Sequence, residues 1–396
     1  MKIAFITHSI HGHGGVPNYV SSLAKSMAAE HEIYLFSVHA EGISNANIHH
    51  RKIWGLDGSG LVQTLTFTLT SALSLYLSRF RESGRFDIIH THGNYTGLEN
   101  VMTSHFCEAV ELERLWTQKS GVSLFQKIYR LGTTFLEKRM VKGAKGKALI
   151  VPSSRMKLEM IRRHGANADS IVVVYSGVDS ERYDPGHISL YRADVRRRHS
   201  IGNDASVVLF VGGDWERKGL AFAINALSDM DCTEAILLVI GEGDVDAFRQ
   251  IARERRVEGR VIFTGPMKEV WKYYAASDVL VLPTLNEAFG LVVLEAMSMR
   301  LPILVSSLAG ASELIEDGLN GLLIKDPTDA SEIAHKLDAI LSNERLRTHL
   351  GKEGRQTARK YTWDIVAQKH IEVYKWVLDG KSTKWPNPGP TGRVGR

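Results

Sequence analysis

Cysteine is scarce. Only Cys107 and Cys232 occur in 396 residues, far apart and without metal-ligand spacing, which excludes a disulfide framework and fits a reducing compartment. A strong charge bias is missing too. The formal net charge is +5, but Lys381, Lys384, Arg393 and Arg396 lie in the last sixteen residues, which hold no acid. The rest of the chain is close to neutral, so the cation surplus does not point to nucleic acid. Long apolar runs are absent as well. MKIAFITHSIHGHGG has too short an apolar stretch for a secretory signal, and histidines interrupt it.

Residues 61–78 carry no charge, which raises the membrane question. Gln63, Thr64, Thr66, Thr68, Thr70, Ser71 and Ser74 make the segment polar for a spanning helix. Its apolar residues Leu61, Leu65, Leu69, Leu73, Tyr76 and Phe80 recur at helical spacing, which predicts one stripe packed on a sheet. A cytoplasmic protein is expected, with peripheral contact to the inner face of a membrane left open.

What is present is an ordinary globular composition, 44% hydrophobic and 23% charged, in a chain long enough for two domains. Short apolar runs alternate with helical patterns, the mark of parallel sheets covered by helices. Strands are expected at 2–7, 32–36, 48–53, 87–90, 101–104, 148–151 and 171–174, then at 207–211, 235–240, 261–264, 279–282, 303–305 and 321–324. Amphipathic stretches at 15–29, 219–228, 245–255 and 330–341 lie between them. The predicted fold is α/β: two doubly wound, Rossmann-like domains, at 1–180 and 181–360. A polar linker near 176–205 is expected from the turn residues of SGVDSERYDPG. The basic, Pro/Gly-rich tail 380–396 is expected to be disordered.

Ligands of open α/β sheets bind beyond the carboxyl ends of the strands, so loops that follow strands hold the informative residues. After 279–282 comes Pro283-Thr-Leu-Asn-Glu-Ala-Phe-Gly-Leu291 and a helix. Gly290 allows close backbone approach, and the helix-start amides favour an anion. Glu287 lies in the loop, and Glu295 sits one and a half turns into the helix. Both are suited to reading sugar hydroxyls, though either alone reads as a solvated acid. After 207–211, the loop Gly212-Gly-Asp-Trp-Glu-Arg217-Lys218-Gly219 offers two cations suited to a diphosphate. The first loop, His11-Gly-His13-Gly-Gly15-Val16, opens a helix that would accept an anion. It is neither a P-loop nor a nicotinamide fingerprint. The turn Gly241-Glu242-Gly243 is a weaker signal of a nucleotide base.

Of the histidines His11, His13, His90, His92 and His105, the last, at a strand end, is the best placed to meet a donor hydroxyl or the reacting carbon. None has zinc spacing. Asp229/Asp231 and Asp244/Asp246 match a metal-diphosphate pattern, but their places at helix ends read as surface acids. No essential metal and no cofactor are expected.

Taken in order, these motifs resemble the retaining glycosyltransferases of family four, which have the GT-B fold. The likeness runs from Lys2 to about Val377. It rests chiefly on the Glu-x7-Glu segment Glu287-Ala-Phe-Gly-Leu-Val-Val-Leu-Glu295. Gly14-Gly15, Thr91-His92-Gly93, Ser104-His105, Gly177-Val178-Asp179, Arg217-Lys218-Gly219 and Tyr361-Thr362-Trp363 support it. GGDWERKGL and the basic stretch 122–143 are loosely similar to lipopolysaccharide-core glucosyltransferases.

The resemblance implies a UDP- or GDP-sugar donor held by the second domain and a glycan or lipid-linked acceptor entering from the first. Glu295 would hold the ribose, and Arg217 and Lys218 the diphosphate. Glu287 with the backbone of Phe289, Gly290 and Leu291 would hold the donor sugar. Gly15 would approach the phosphates across a cleft, His105 would line the sugar site, and a last helix, about 364–378, would return to the first domain. One departure is Gly213, where the family commonly has an arginine; Arg217 would supply that second cation. The expected activity is retaining hexosyl transfer, giving an α-linkage. An epimerase or hydrolase on the same fold, or a non-catalytic nucleotide-sugar binder, are the alternatives. Phe125, Lys127, Tyr129, Arg130, Phe135, Lys138, Arg139 and Lys142 either rest on an anionic membrane or form a solvated basic face.

Overall fold

A computed structural model describes residues 1–12, 14–55, 60–78, 85–93, 96–117, 124–142 and 147–380. His13, Phe80 and the tail from Lys381 lie outside the described residues, as do the side chains of Leu61, Leu65 and Phe125. The chain divides into two compact units, Met1–Ser176 with the chain from Trp363, and Gly177–Thr362.

The first unit holds β1 (Lys2–Ile6), β2 (Ser9–Ile10), β3 (Glu32–Ser37), β4 (His39–Ala40), β5 (Ile48–Lys52), β6 (Ile88–His92), β7 (Val101–Thr103), β8 (Ala148–Val151) and β9 (Ile171–Val173). Seven of them form one parallel sheet in the order β5-β3-β1-β6-β7-β8-β9, and β2 pairs separately with β4. In the second unit β10 (Val207–Val211), β11 (Ile236–Ile240), β12 (Val261–Gly265), β13 (Val279–Leu282), β14 (Ile303–Ser306) and β15 (Leu322–Ile324) form a parallel sheet in the order β12-β11-β10-β13-β14-β15. Both sheets have the two-Rossmann-domain character expected from the alternation of apolar runs and helices. Central strands such as β10 and β13 are buried along their whole length, which is why they read as unbroken apolar runs and not as alternating ones.

The strand order reverses at β1 in the first sheet and at β10 in the second. A crevice therefore opens at the carboxyl ends of β1 and β6, and another at those of β10 and β13. In the second unit Phe210, Val281, Leu227, Ile333 and Leu337 fill the core beneath that crevice.

Two expectations are corrected. The stretch 176–205 is not simply a polar linker, because the helix Gly186–Arg198 lies within it. Its buried anchor is polar: Arg196, 1% exposed, donates to the carbonyls of Ala276, Gly202, Asn203 and Ala205 and to Asp278 Oδ2 at 2.9 Å. A helix seated by an arginine shows no apolar period. The second correction concerns the helix Gly60–Ser78. Leu69, Leu73 and Tyr76 are 71%, 58% and 52% exposed, while Phe67, Ser71 and Leu75 are buried. The buried serine donates to its own helix, Ser71 Oγ to Phe67 O at 2.5 Å, so its hydroxyl is satisfied without water. The helix therefore buries a face that reads as half polar and leaves Leu69, Leu73 and Tyr76 of the expected stripe outside.

The helix Trp363–Leu378 belongs to the first unit and packs on the helix Val16–Met27. Tyr19 joins them, with its hydroxyl 3.0 Å from His370 Nε2 and its ring edge-on to Trp363 at 5.1 Å.

Candidate functional site

The loop after β10 owes its shape to three residues of positive φ. Gly212 has φ +140°, Asp214 φ +49° and Gly219 φ +79°. Asp214 caps the short helical turn that carries Arg217 and Lys218 by accepting from the Arg217 amide. Gly219 lies against the Pro283 carbonyl, where any Cβ would collide. That contact clamps the loop after β10 to the loop after β13, and the Leu285 amide donates to Arg217 O at 2.9 Å.

The clamp brings the charged residues together. Lys218 Nζ donates to Glu287 Oε2 at 2.7 Å, and Arg217 Nη1 donates to the same oxygen at 3.1 Å. Arg217 Nη1 also reaches the Asn286 carbonyl at 2.7 Å, and its Nε donates to Asp214 Oδ2 at 2.8 Å. Two cations thus face two carboxylates, and the cluster is locally neutral. Burial would raise the Glu287 carboxyl, but Lys218 and Arg217 overcome it and hold the group down at about 2.

Glu287 is fixed through its backbone as well, since its carbonyl accepts from Gly310 N at 2.9 Å and Phe289 O accepts from Ala311 N at 2.8 Å. The Phe289 ring is buried, so the part of this residue that a ligand can meet is its backbone. Gly290, φ +98°, starts the helix Leu291–Ser298. Val293 N donates back to the Gly290 carbonyl at 3.0 Å, while the Leu291 and Val292 amides before it precede any intrahelical acceptor and favour an anion. Glu295 lies further along, and Tyr274 donates to its Oε2 at 2.8 Å. Burial raises the Glu295 carboxyl above its ordinary value, and hydrogen bonds from Tyr274 and Tyr183 pull it only part of the way back. Gly241, φ +136°, is packed on the Gly212 backbone, which sets the turn 241–243 beside the same loop.

In the first unit, Gly15 is exposed at the start of the helix Val16–Met27. His105 follows β7, stacked on His92 at 5.5 Å with His92 Nδ1 3.3 Å from His105 Nε2. Behind them, His90 lies 2.7 Å from both the Tyr374 hydroxyl and Thr103 Oγ1. Burial, then the neighbouring His370, pushes His105 down to about 3, and burial holds His370 at about 4. The imidazole of His105 is neutral at pH 7, suited to hydrogen-bonding a hydroxyl and not to supplying charge.

The structure therefore gathers Arg217, Lys218, Glu287 and Gly290 into one constellation of the second unit and sets Gly15 and His105 in the first. The two acidic pairs are spread over helix ends. Asp244 caps a helix by accepting from Ala247 N at 3.0 Å, and Asp229 accepts from Ser228 at 2.9 Å. Sequence reasoning missed Asp214, although it stands one turn before Arg217. It also missed Tyr183 and Tyr274, which come to Glu295 from other elements and left no local signal. The buried group Cys107, Glu137 and His164 was missed because its members are widely separated along the chain.

Residues 13–182 match the family model described as Glycosyltransferase Family 4, and residues 192–357 match the one described as Glycosyl transferases group 1. An uncharacterized glycosyltransferase of Methanocaldococcus jannaschii is 24% identical over 395 residues, 96% of this chain and 99% of that protein. The crystal structure of WaaG, a glycosyltransferase involved in lipopolysaccharide biosynthesis, is similar with a TM-score of 0.78 at 19% identity, covering 94% of this chain and 99% of WaaG. HepE of Anabaena in complex with UDP-glucose is similar with a TM-score of 0.72 at 19% identity, over 95% and 99% of the two chains.

Proposed function

Given that this chain belongs to the group 1 glycosyltransferases of the GT-B fold, we propose that it moves a hexose from a UDP- or GDP-sugar to a glycan, lipid-linked or small-molecule acceptor with retention, forming an α-glycosidic bond. The observation that carries this reading is Glu287 held between Arg217 and Lys218 beside the helix start at Gly290. HepE, of the same fold, binds UDP-glucose, which supports a nucleotide-sugar donor here.

On this reading the diphosphate lies against Arg217, Lys218 and the amides of Gly290 and Leu291. These stabilise the charge that grows as the bond from the anomeric carbon to the phosphate oxygen breaks. No essential metal is part of this reading. Glu287 and the backbone of Phe289 and Gly290 meet the sugar, with the carboxylate facing the positive charge that develops on its ring. Glu295 takes the ribose hydroxyls, and in the first unit the exposed Gly15 backbone at the start of the helix Val16–Met27 is suited to an anion. The acceptor enters from the first unit, and the neutral His105 of that unit is suited to hydrogen-bond a donor hydroxyl. The acceptor oxygen bonds the anomeric carbon on the face that the phosphate leaves, and its proton passes to the departing phosphate oxygen.

The helix Leu124–Lys142 favours an acceptor presented at a membrane. Leu124, Ile128, Leu131 and Phe135 are exposed at spacings of one helical face, with Lys127, Lys138, Arg139 and Lys142 on the same element. Among the described residues no helix is long and apolar enough to cross a membrane, so contact would be peripheral. Flotation with anionic liposomes, but not with neutral ones, is the expected result.

The deciding experiment is a thermal-shift screen of UDP- and GDP-sugars, followed by NMR of the product's anomeric configuration. One donor should raise the melting temperature by mass action and give an α-linked product. Rapid donor interconversion or hydrolysis without acceptor would make the chain an epimerase or hydrolase. A β-linked product would end the retaining assignment.

A further inference from the structure

Beyond β7 the chain runs through Ser104 and His105 to Cys107, which precedes the helix Glu108–Thr117. The Cys107 thiol meets two other buried groups there. Cys107 Sγ lies 3.6 Å from His164 Nε2, and His164 Nε2 lies 2.6 Å from Glu137 Oε2. Glu137 comes from the helix Leu124–Lys142 and His164 from the end of the helix Ser154–His164. Glu137 and His164 are each 1% exposed and Cys107 4%. A thiol and a carboxylate from different elements thus converge on one ring nitrogen, and each of the three atoms is a first-row metal ligand.

We propose that Cys107, Glu137 and His164 form a binding site for a divalent zinc-class metal ion, separate from the transfer chemistry. Charge supports it: a dication with a thiolate, a carboxylate and a neutral imidazole sums to zero, and the ion would replace the His164 contact as the partner of a carboxylate that otherwise accepts from Ser104 Oγ and the Glu108 amide. The geometry supports it as well. Metal–sulfur and metal–nitrogen bonds of about 2.3 and about 2.0 Å at a tetrahedral angle set sulfur and nitrogen about 3.5 Å apart, close to the separation observed. The Glu137–His164 pair is shorter than two ligands of one ion require, so loading moves that carboxylate outward by less than about 1 Å. A fourth ligand would be water or the second oxygen of Glu137.

The surroundings also set the strength of the site. Metal at Nε2 places the imidazole proton on Nδ1, and His164 Nδ1 has no partner among the described residues. A supporting acceptor at that position is commonly worth 10–100-fold in affinity, so the ion should exchange and respond to chelators. Its structural effect is to tie the segment that carries His105 to two helices. Without the ion that segment still has ties, since Ser104 Oγ donates to the Phe106 carbonyl at 2.8 Å and Glu108 N to Glu137 Oε2 at 2.9 Å.

The test is titration of the chelator-treated full chain with Co2+ in reducing buffer, read by absorbance. The wild type should take up one equivalent, develop a thiolate charge-transfer band in the near ultraviolet, and lose that band on addition of Zn2+. Cys107 and Cys232 are the only thiols, so Cys232→Ser, at a half-buried position, should keep the band, and Cys107→Ser should lose it. Should Cys107→Ser fail to fold, the band in Cys232→Ser still assigns the ligand. Zn2+ should also raise the melting temperature of the wild type and of Cys232→Ser. No band in the wild type, or a band lost in Cys232→Ser and kept in Cys107→Ser, overturns the proposal. Neither result bears on donor turnover.

Discussion

Lys218 Nζ stands 2.7 Å from Glu287 Oε2, joining the loop after β10 to the loop after β13. Arg217 reaches the same oxygen at 3.1 Å and is held on its other edge by Asp214. The two cations are therefore oriented before any ligand arrives, and their charge is already matched. Under the proposed donor geometry a diphosphate would compete with Glu287 for Lys218, and the carboxylate would then act as a brake on ground-state binding as well as a partner of the sugar.

Glu287→Gln separates these two effects. Releasing the cations should leave donor affinity unchanged or improved, while turnover at saturating donor falls by about 10²–10³-fold, the usual loss when one aimed charge is removed from a reaction site. Steady-state kinetics with a donor titration reads both. A turnover rate near that of the wild type would end the assignment of Glu287 to the reacting sugar.

Lys218→Ala should act the opposite way on binding and also weaken the second unit. Glu287 keeps Arg217 but loses the closer of its two donors, a cost of about 1–3 kcal/mol. The acid limb gives the sign. The Glu287 carboxyl is held at about 2 in the folded chain, below its ordinary value near 4.5. Its contribution is complete above about pH 5 and is lost as pH falls from there through about 2. Urea unfolding at pH 6 and pH 3 should show a smaller acid loss in Lys218→Ala than in the wild type.

The parallel sheets were legible because β1, β10 and β13 are covered on both faces and so read as unbroken apolar runs. The loops that follow them were legible because glycine, lysine, arginine and glutamate occur there together. What stayed hidden was burial carried by polar groups. The helix Gly186–Arg198 is seated by Arg196 in a cage of carbonyls, and the helix Gly60–Ser78 buries Ser71 while Leu73 faces out. Hydrophobic periodicity is blind to both, since it treats an arginine or serine as a mark of the solvent side. Tyr183 and Tyr274 escaped for another reason: they reach Glu295 only after the chain has folded, and no spacing announces that.

Tyr274→Phe tests the place of Glu295. The Tyr274 hydroxyl helps hold down a carboxyl that burial raises, so its removal should raise Glu295 further and leave more of it protonated at mildly acidic pH. A carboxyl that reads ribose hydroxyls should then bind donor less well, with KM rising most at low pH and kcat little changed. An unchanged KM across pH 5–8 would remove Glu295 from the donor site.

The histidines of the first unit predict an acid weakness of their own. Burial keeps His90 and His92 well below their ordinary value, His105 at about 3 and His370 at about 4. In the unfolded chain each titrates near 6.5. Stability is therefore complete above about pH 7. It falls as pH drops below 6.5, because only the unfolded state takes up protons there, and the loss continues toward the folded values. Thermal unfolding should show a melting temperature that declines steeply from pH 7 to pH 5. His370→Gln, which removes one of the titrating groups, should flatten that decline while lowering stability at pH 7.

Gly219→Ala tests whether the loop clamp makes the donor site. Alanine at φ +79° is strained, and its Cβ would strike the Pro283 carbonyl, a backbone atom that cannot rotate away. Relief requires the loop after β10 to part from the loop after β13, which separates Arg217 and Lys218 from Glu287. The second unit should lose at least about 2 kcal/mol, and the donor-induced thermal shift should vanish even though no charged residue has changed. Gly202→Ala is the matched control: a Cβ there meets nothing within 4 Å, and its effect should stay within about 0.5 kcal/mol. If Gly219→Ala kept the full donor shift, the cations would be positioned by their own side-chain contacts and the clamp would be incidental.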